Sequence, residues 1–73
     1  MDTSDVMIHI DGELDDSQRA ALENGMLDAD GVIASRFNKP HLLMVSFDPV
    51  KIGSKALLQI VQEKGHAGQL VGL

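Results

Sequence analysis

An α+β sandwich is predicted for this 73-residue chain, in the order strand, helix, strand, strand, helix, strand, with a four-stranded antiparallel sheet carrying both helices on one face. Three observations lead there. Residues 5–11 and 42–47 alternate apolar with other side chains at the two-residue period of a strand, while two intervening stretches space their apolar residues at the helical period of 3.6. Turn-forming Gly, Pro and Asp separate the segments. Crossovers between parallel strands are right-handed and both helices must bury their apolar sides, so this order has few compact solutions.

In the first strand Val6, Ile8 and Ile10 alternate with Met7 and His9. After Gly12, the residues Leu14, Ala21, Leu22, Met26 and Ala29 share one side of a helical period, with Asp15 or Asp16 placed to cap the first turn and Gly31 to stop the chain. Gly25 inside this helix costs about 1 kcal/mol relative to Ala, which implies close packing on a neighbour. Residues 32–37 and 42–47 are β-prone and are joined by Asn38, Lys39, Pro40 and His41, a polar connection of hairpin type. Asp48 and Pro49 turn the chain, Gly53 or Ser54 caps, and Ala56, Leu57, Ile60, Val61 and Lys64 follow helical spacing up to Gly65. Residues 67–73, with Gly68 and Gly72, read as a short edge strand.

The outcome is a ferredoxin-like βαββαβ sandwich, one domain over residues 1–73 with residues 1–4 expected to be a disordered N-terminus. Alternation sends Val6, Ile8, Ile10, Leu43, Val45 and Phe47 toward the helices. Met7, His9, Leu42, Met44 and Ser46 point the other way, and Met7, Leu42 and Met44 make the open face partly apolar. Such a patch marks an interface or is the scattered apolar surface that every protein carries.

Composition removes several functions. The chain has no cysteine, hence no disulfide, cluster or thiol chemistry, and a net charge of −5 with two Phe and no Trp or Tyr argues against nucleic acid. No apolar run approaches the roughly 20 residues of a membrane span, and the acidic N-terminus lacks the pattern of a secretory signal, so a cytoplasmic location and no membrane insertion are expected. Catalysis is not expected either. Ser4, Ser17, Ser35, Ser46 and Ser54 lack His and Asp neighbours at a telling spacing, Asp15 and Asp16 face different directions on a helix, and residues 65–68 do not follow phosphate-loop spacing. Charge is uneven, since residues 1–30 hold nine carboxylates and one base, Arg19, whereas residues 31–73 hold two carboxylates and five bases. Acids near helix starts complement the helix dipole; they also suit a basic partner or a cation.

The joint spacing of Ile10, Gly12, Leu22, Met26, Gly31-Val32, Phe37-Asn38, Val45, Phe47-Asp48-Pro49, Ile52, Leu57, Val61 and Gly65-His66 resembles the heavy-metal-associated domain of copper chaperones and of the N-terminal modules of metal-transporting P-type ATPases. The resemblance covers nearly the whole chain. It departs in a hairpin about one residue short and, above all, in the metal loop. Aligned without a gap from Gly12, that loop reads Gly12-Glu13-Leu14-Asp15-Asp16-Ser17-Gln18, so Asp15 and Gln18 stand where the resemblance puts two thiolates. Soft Cu(I) prefers thiolate and thioether, so the family's copper chemistry does not come with the fold.

Two readings remain. The resemblance implies that the metal loop and first helix dock a partner domain; the acidic residues Asp11, Glu13, Asp15, Asp16 and Glu23 would then face a protein with a basic surface, a related domain or a metal transporter. The apolar residues Met7, Leu42 and Met44 would give a second contact or a homodimer. Alternatively Asp11, Glu13, Asp15 and Asp16, with His66 returning beside the loop as the resemblance implies, form an oxygen-rich site for a weakly held divalent metal. No cofactor is expected otherwise. His9 and His41 read as ordinary surface residues, Met26 as core.

Overall fold

A computed structural model describes residues 2–71. The strand alternation read from the sequence becomes β1 (Ser4–Ile10), followed by α1 (Asp16–Leu27), β2 (Val32–Lys39), β3 (Leu42–Phe47), α2 (Ser54–Glu63) and β4 (Gly68–Val71). The strands form one antiparallel sheet in the order β2-β3-β1-β4. β1 begins at Ser4, opposite Phe47, so the disorder expected over residues 1–4 does not extend to Ser4. Within the described residues the expected last strand is found at Gly68–Val71, starting one residue later than expected; Gly72 and Leu73, also expected in it, lie outside the described residues.

Every side chain assigned to the helix-facing side of β1 and β3 is buried. Val6, Ile8, Ile10, Leu43, Val45 and Phe47 pack on Leu22 and Met26 of α1 and Leu57 and Val61 of α2, with Leu14 closing the end near α1, and no polar residue enters this core. At roughly 1.5–3 kcal/mol per fully buried aliphatic side chain, these residues supply the main favourable term for a chain with no covalent staple. Ala21 and Ala56, grouped with the helix core positions by spacing, are exposed instead. A helix offers the core a limited stripe, and here the larger neighbours Leu22 and Leu57 fill it.

The hairpin is tighter than expected. β2 runs to Lys39 and only Pro40 and His41 connect it to β3, because the register shifts between Phe37 and Lys39 and again between Val32 and Ala34, leaving Asn38 and Ile33 as the extra residues. These irregularities bend an edge strand and spoil its outer rim as a pairing template. Glu23 of α1 adds to this by accepting a hydrogen bond from the Phe37 N–H at 2.7 Å.

Two glycines have positional roles. Gly25 is covered by the Lys64 side chain, whose Nζ would lie 2.8 Å from a Cβ at that position, so the neighbour implied by the sequence is one lysine stem. Gly31 does not end α1, which stops at Leu27 with Asp28 as its C-cap; it adopts φ +101° just before β2. Its carbonyl accepts from Asp48 N–H at 2.7 Å, and a Cβ there would sit 2.9 Å from Ile52 Cγ2 and from Lys51 Cβ. Gly31→Ala is therefore expected to lower stability by about 1–3 kcal/mol from backbone strain, before the clash is counted. Urea unfolding measures this, with Gly12→Ala, where nothing lies within 4 Å of an added Cβ, as the strain-only comparison.

Candidate functional site

The loop from Asp11 to Asp15 leaves β1 at the end of the sheet. Gly12 takes φ +89°, a left-handed turn that suits glycine, and the Asp11 N–H donates to the Ala67 carbonyl at 2.8 Å. That bond ties the loop to the connection between α2 and β4, which brings the segment holding His66 alongside.

Helix α1 then begins in a definite way. Its first N–H groups have no partner within the helix, and Asp15 supplies one as N-cap: Oδ1 accepts from Gln18 N–H at 2.7 Å. Gln18 reciprocates, its Oε1 accepting from Asp15 N–H at 2.9 Å, which completes a capping box. The sequence reading left the cap between Asp15 and Asp16; the Asp-x-x-Gln spacing was the signal for this box. Leu14, just before the cap, is buried, and its carbonyl accepts from the Arg19 guanidinium at 2.7 Å.

The other acidic candidates diverge. Asp16 forms an exposed ion pair with Arg19. Glu13 is exposed at the loop, Asp11 turns toward His9, with its Oδ1 3.3 Å from His9 Nδ1, and Glu23 is held by the β2 backbone. His66 is half-buried in a cleft with Gln18, Ala21, Leu22, Lys64 and Gly65. Among the described residues no three His, Asp or Glu side chains are placed to hold a metal ion, so Asp11, Glu13, Asp15, Asp16 and His66 are not gathered by the structure.

On the open face, the register sets Met7 opposite Met44 and His9 opposite Leu42, so the three apolar candidates are neighbours, half-buried on that face. His9 also stacks on His41, ring centroids 5.9 Å apart at 21°, and His41 Nδ1–H donates to the Ile10 carbonyl at 3.2 Å. Sequence reasoning missed this pairing because it gave the hairpin connection two more residues than it has.

No protein-family model matches this chain, and no curated protein matches it significantly. Solved structures do. Oxidized MerP from Ralstonia metallidurans CH34 is similar at a TM-score of 0.86 and 15% identity, covering 97% of this chain and 100% of that one. The chain has the fold of heavy-metal-associated domains. A copper binding domain from HMA7, a P-type ATPase, gives 0.86 at 13% identity over 93% of each chain, and the CopZ metallochaperone gives 0.83 at 18% identity over 90% of this chain and 100% of that one. On this heavy-metal-associated fold, the two positions that the gapless match from Gly12 assigns to thiolates are the two halves of the capping box.

Replacing Asp15 by Ala is expected to cost about 1 kcal/mol, a fall of about 4–8 °C in melting temperature, while Asp15→Asn stays within a few tenths of a kcal/mol of the parent. Thermal unfolding followed by circular dichroism reads both.

Proposed function

We propose that this domain is a non-catalytic, cytoplasmic interaction module of a metal-transport system, docking through the acidic loop and start of α1 onto a basic protein surface. The observation that carries this reading is the capping box: Asp15 and Gln18 are committed to the helix start, while Glu13, Asp15 and Asp16 remain exposed to solvent on the same corner. The similarity to a metallochaperone and to a P-type ATPase domain supports the transport setting. A basic partner, a related domain or the soluble part of a metal transporter, would be drawn by the field of clustered carboxylates, which acts chiefly on the association rate and on specificity.

The open face offers a second contact through Met7, Leu42 and Met44. Four strands about 4.8 Å apart and a seven-residue β1 make a face of roughly 450 Å², below the about 800 Å² per partner of a stable interface. Homodimer contacts there would be transient. The alternative metal reading would have to draw Asp11, Glu13, Asp15, Asp16 and His66 into a cluster that the described residues do not form.

Asp15→Asn with Asp16→Asn removes two charges and preserves the cap, since Asn caps as well as Asp. Against the soluble domain of a metal-transporting P-type ATPase from the same cell, the double variant is expected to bind about tenfold more weakly at low salt and with a flatter salt dependence, read by surface plasmon resonance. Unchanged affinity and salt dependence would remove the acidic corner from the interaction.

A further inference from the structure

The two edges of the sheet are protected unequally. β2 is broken by two register shifts, carries Arg36 and Lys39, and has its Phe37 N–H taken by Glu23. Bulges and charges of this kind keep an edge from pairing with another chain. β4, the opposite edge, has none of them: its pairing with β1 is regular, and residues 65–71 include no Asp, Glu, Lys, Arg or Pro.

The ladder fixes which groups of β4 face outward. β1 and β4 pair with Ile10 opposite Gly68, and one step further the Asp11 N–H donates to the Ala67 carbonyl at 2.8 Å. Antiparallel pairs alternate between bonded and non-bonded, so His9–Gln69 and Met7–Val71 are the bonded pairs inside the sheet. The N–H and C=O of Gly68 and Leu70 therefore point away from β1, and among the described residues no strand lies on that side. A Cβ on Gly68 would be 3.3 Å from Ile8 Cγ2 and 3.4 Å from Ile10 Cδ1, which puts Gly68, and Leu70 two residues on, on the helix-bearing face. Gln69 and Val71 are on the open face. Leu70 and Val71 are both exposed, so the rim is apolar on each side of the sheet.

This rim is complementary to itself. With a two-fold axis at Gln69, Gly68 lies opposite Leu70 of a second copy: the Gly68 N–H meets that copy's Leu70 carbonyl, its Leu70 N–H meets the Gly68 carbonyl, and the symmetric pair completes the set. Each Leu70 side chain then falls beside a glycine that has none, and Gln69 faces Gln69 across the axis.

We propose that two copies of this chain pair antiparallel through β4, joining their sheets into one of eight strands. The contact is separate from Met7, Leu42 and Met44 on the open face and uses none of the acidic corner, so it stands or falls independently of the docking reading. A four-residue strand makes it small, hence a transient dimer. Because each copy carries a net charge of −5, added salt tightens it, the reverse of docking onto a basic surface.

Sedimentation velocity from micromolar to millimolar concentration, with amide exchange of the ¹⁵N-labelled chain over the same range, tests the pairing. A reversible dimer strengthened by sodium chloride is expected, in which the Gly68 and Leu70 amides exchange at least about fivefold more slowly at the high end. Gln69 is exposed, and Gln69→Lys and Gln69→Glu, each setting like charges face to face, should weaken association at least about tenfold, while an equimolar mixture of the two variants restores it. A chain that stays monomeric at millimolar concentration, a dimer that leaves the Gly68 and Leu70 amides unchanged, or a mixture no stronger than either variant alone would each overturn the proposal. Dispersed signals from the core strands verify that both variants are folded.

Discussion

A helix that starts at the end of a sheet must find acceptors for N–H groups its own carbonyls cannot reach. At α1 the reciprocal hydrogen bonds of Asp15 and Gln18 meet that need, and much of this corner depends on them. They fix the direction in which α1 leaves the loop, with Leu14 buried behind the cap and Arg19 closing over the Leu14 carbonyl. The three-residue spacing that serves a pair of metal ligands in the resembled family is also the spacing from N-cap to N3. One stretch of chain can therefore support either chemistry, and oxygen and amide groups favour the cap.

The rest of the molecule divides its charge around this corner. The apolar core takes no polar side chain, so every carboxylate is at or near the surface. Several have structural duties: Asp16 with Arg19, Glu23 on the β2 backbone, Asp11 beside His9, Asp30 near Lys51. Exposed pairs of this kind contribute little to stability, about 0–1 kcal/mol each, so their positions weigh more on what the surface attracts than on whether it folds. The neighbouring cleft has a different character, with Lys64, Gln18 and His66 and no acid among its lining residues. Two adjacent surfaces of contrasting charge follow from which side of α1 each residue occupies.

The sequence made the layers legible because both periods are physical: alternation in β1 and β3 put Val6, Ile8, Ile10, Leu43, Val45 and Phe47 into the core as read. Details governed by single residues were harder. Asn38 and Lys39 have turn chemistry, yet a bulge keeps Lys39 in β2, and that choice belongs to the pairing with β3. Gly31 was read as a helix stop, but it lies beyond the end of α1, and the distant segment Lys51–Ile52 is what leaves no room for a side chain there, which no local pattern reveals. At the site, the acidic run was visible in the sequence, and the family resemblance was what drew attention to Asp15 and Gln18. The mutual use of Asp15 and Gln18 was encoded as Asp-x-x-Gln and overlooked, while the His9–His41 stack required the true hairpin length.

Titration with Cu(I) and with Zn(II), each in competition with a chelator and followed through the amides of residues 11–18 and His66, asks most directly whether capping has taken the place of metal binding at this loop. With the cap in place those amides should hold their positions up to several equivalents of metal, with the Gln18 amide retaining the signature of its bond to Asp15. Saturable movement of Asp15, Gln18 and His66 together at one equivalent would contradict it.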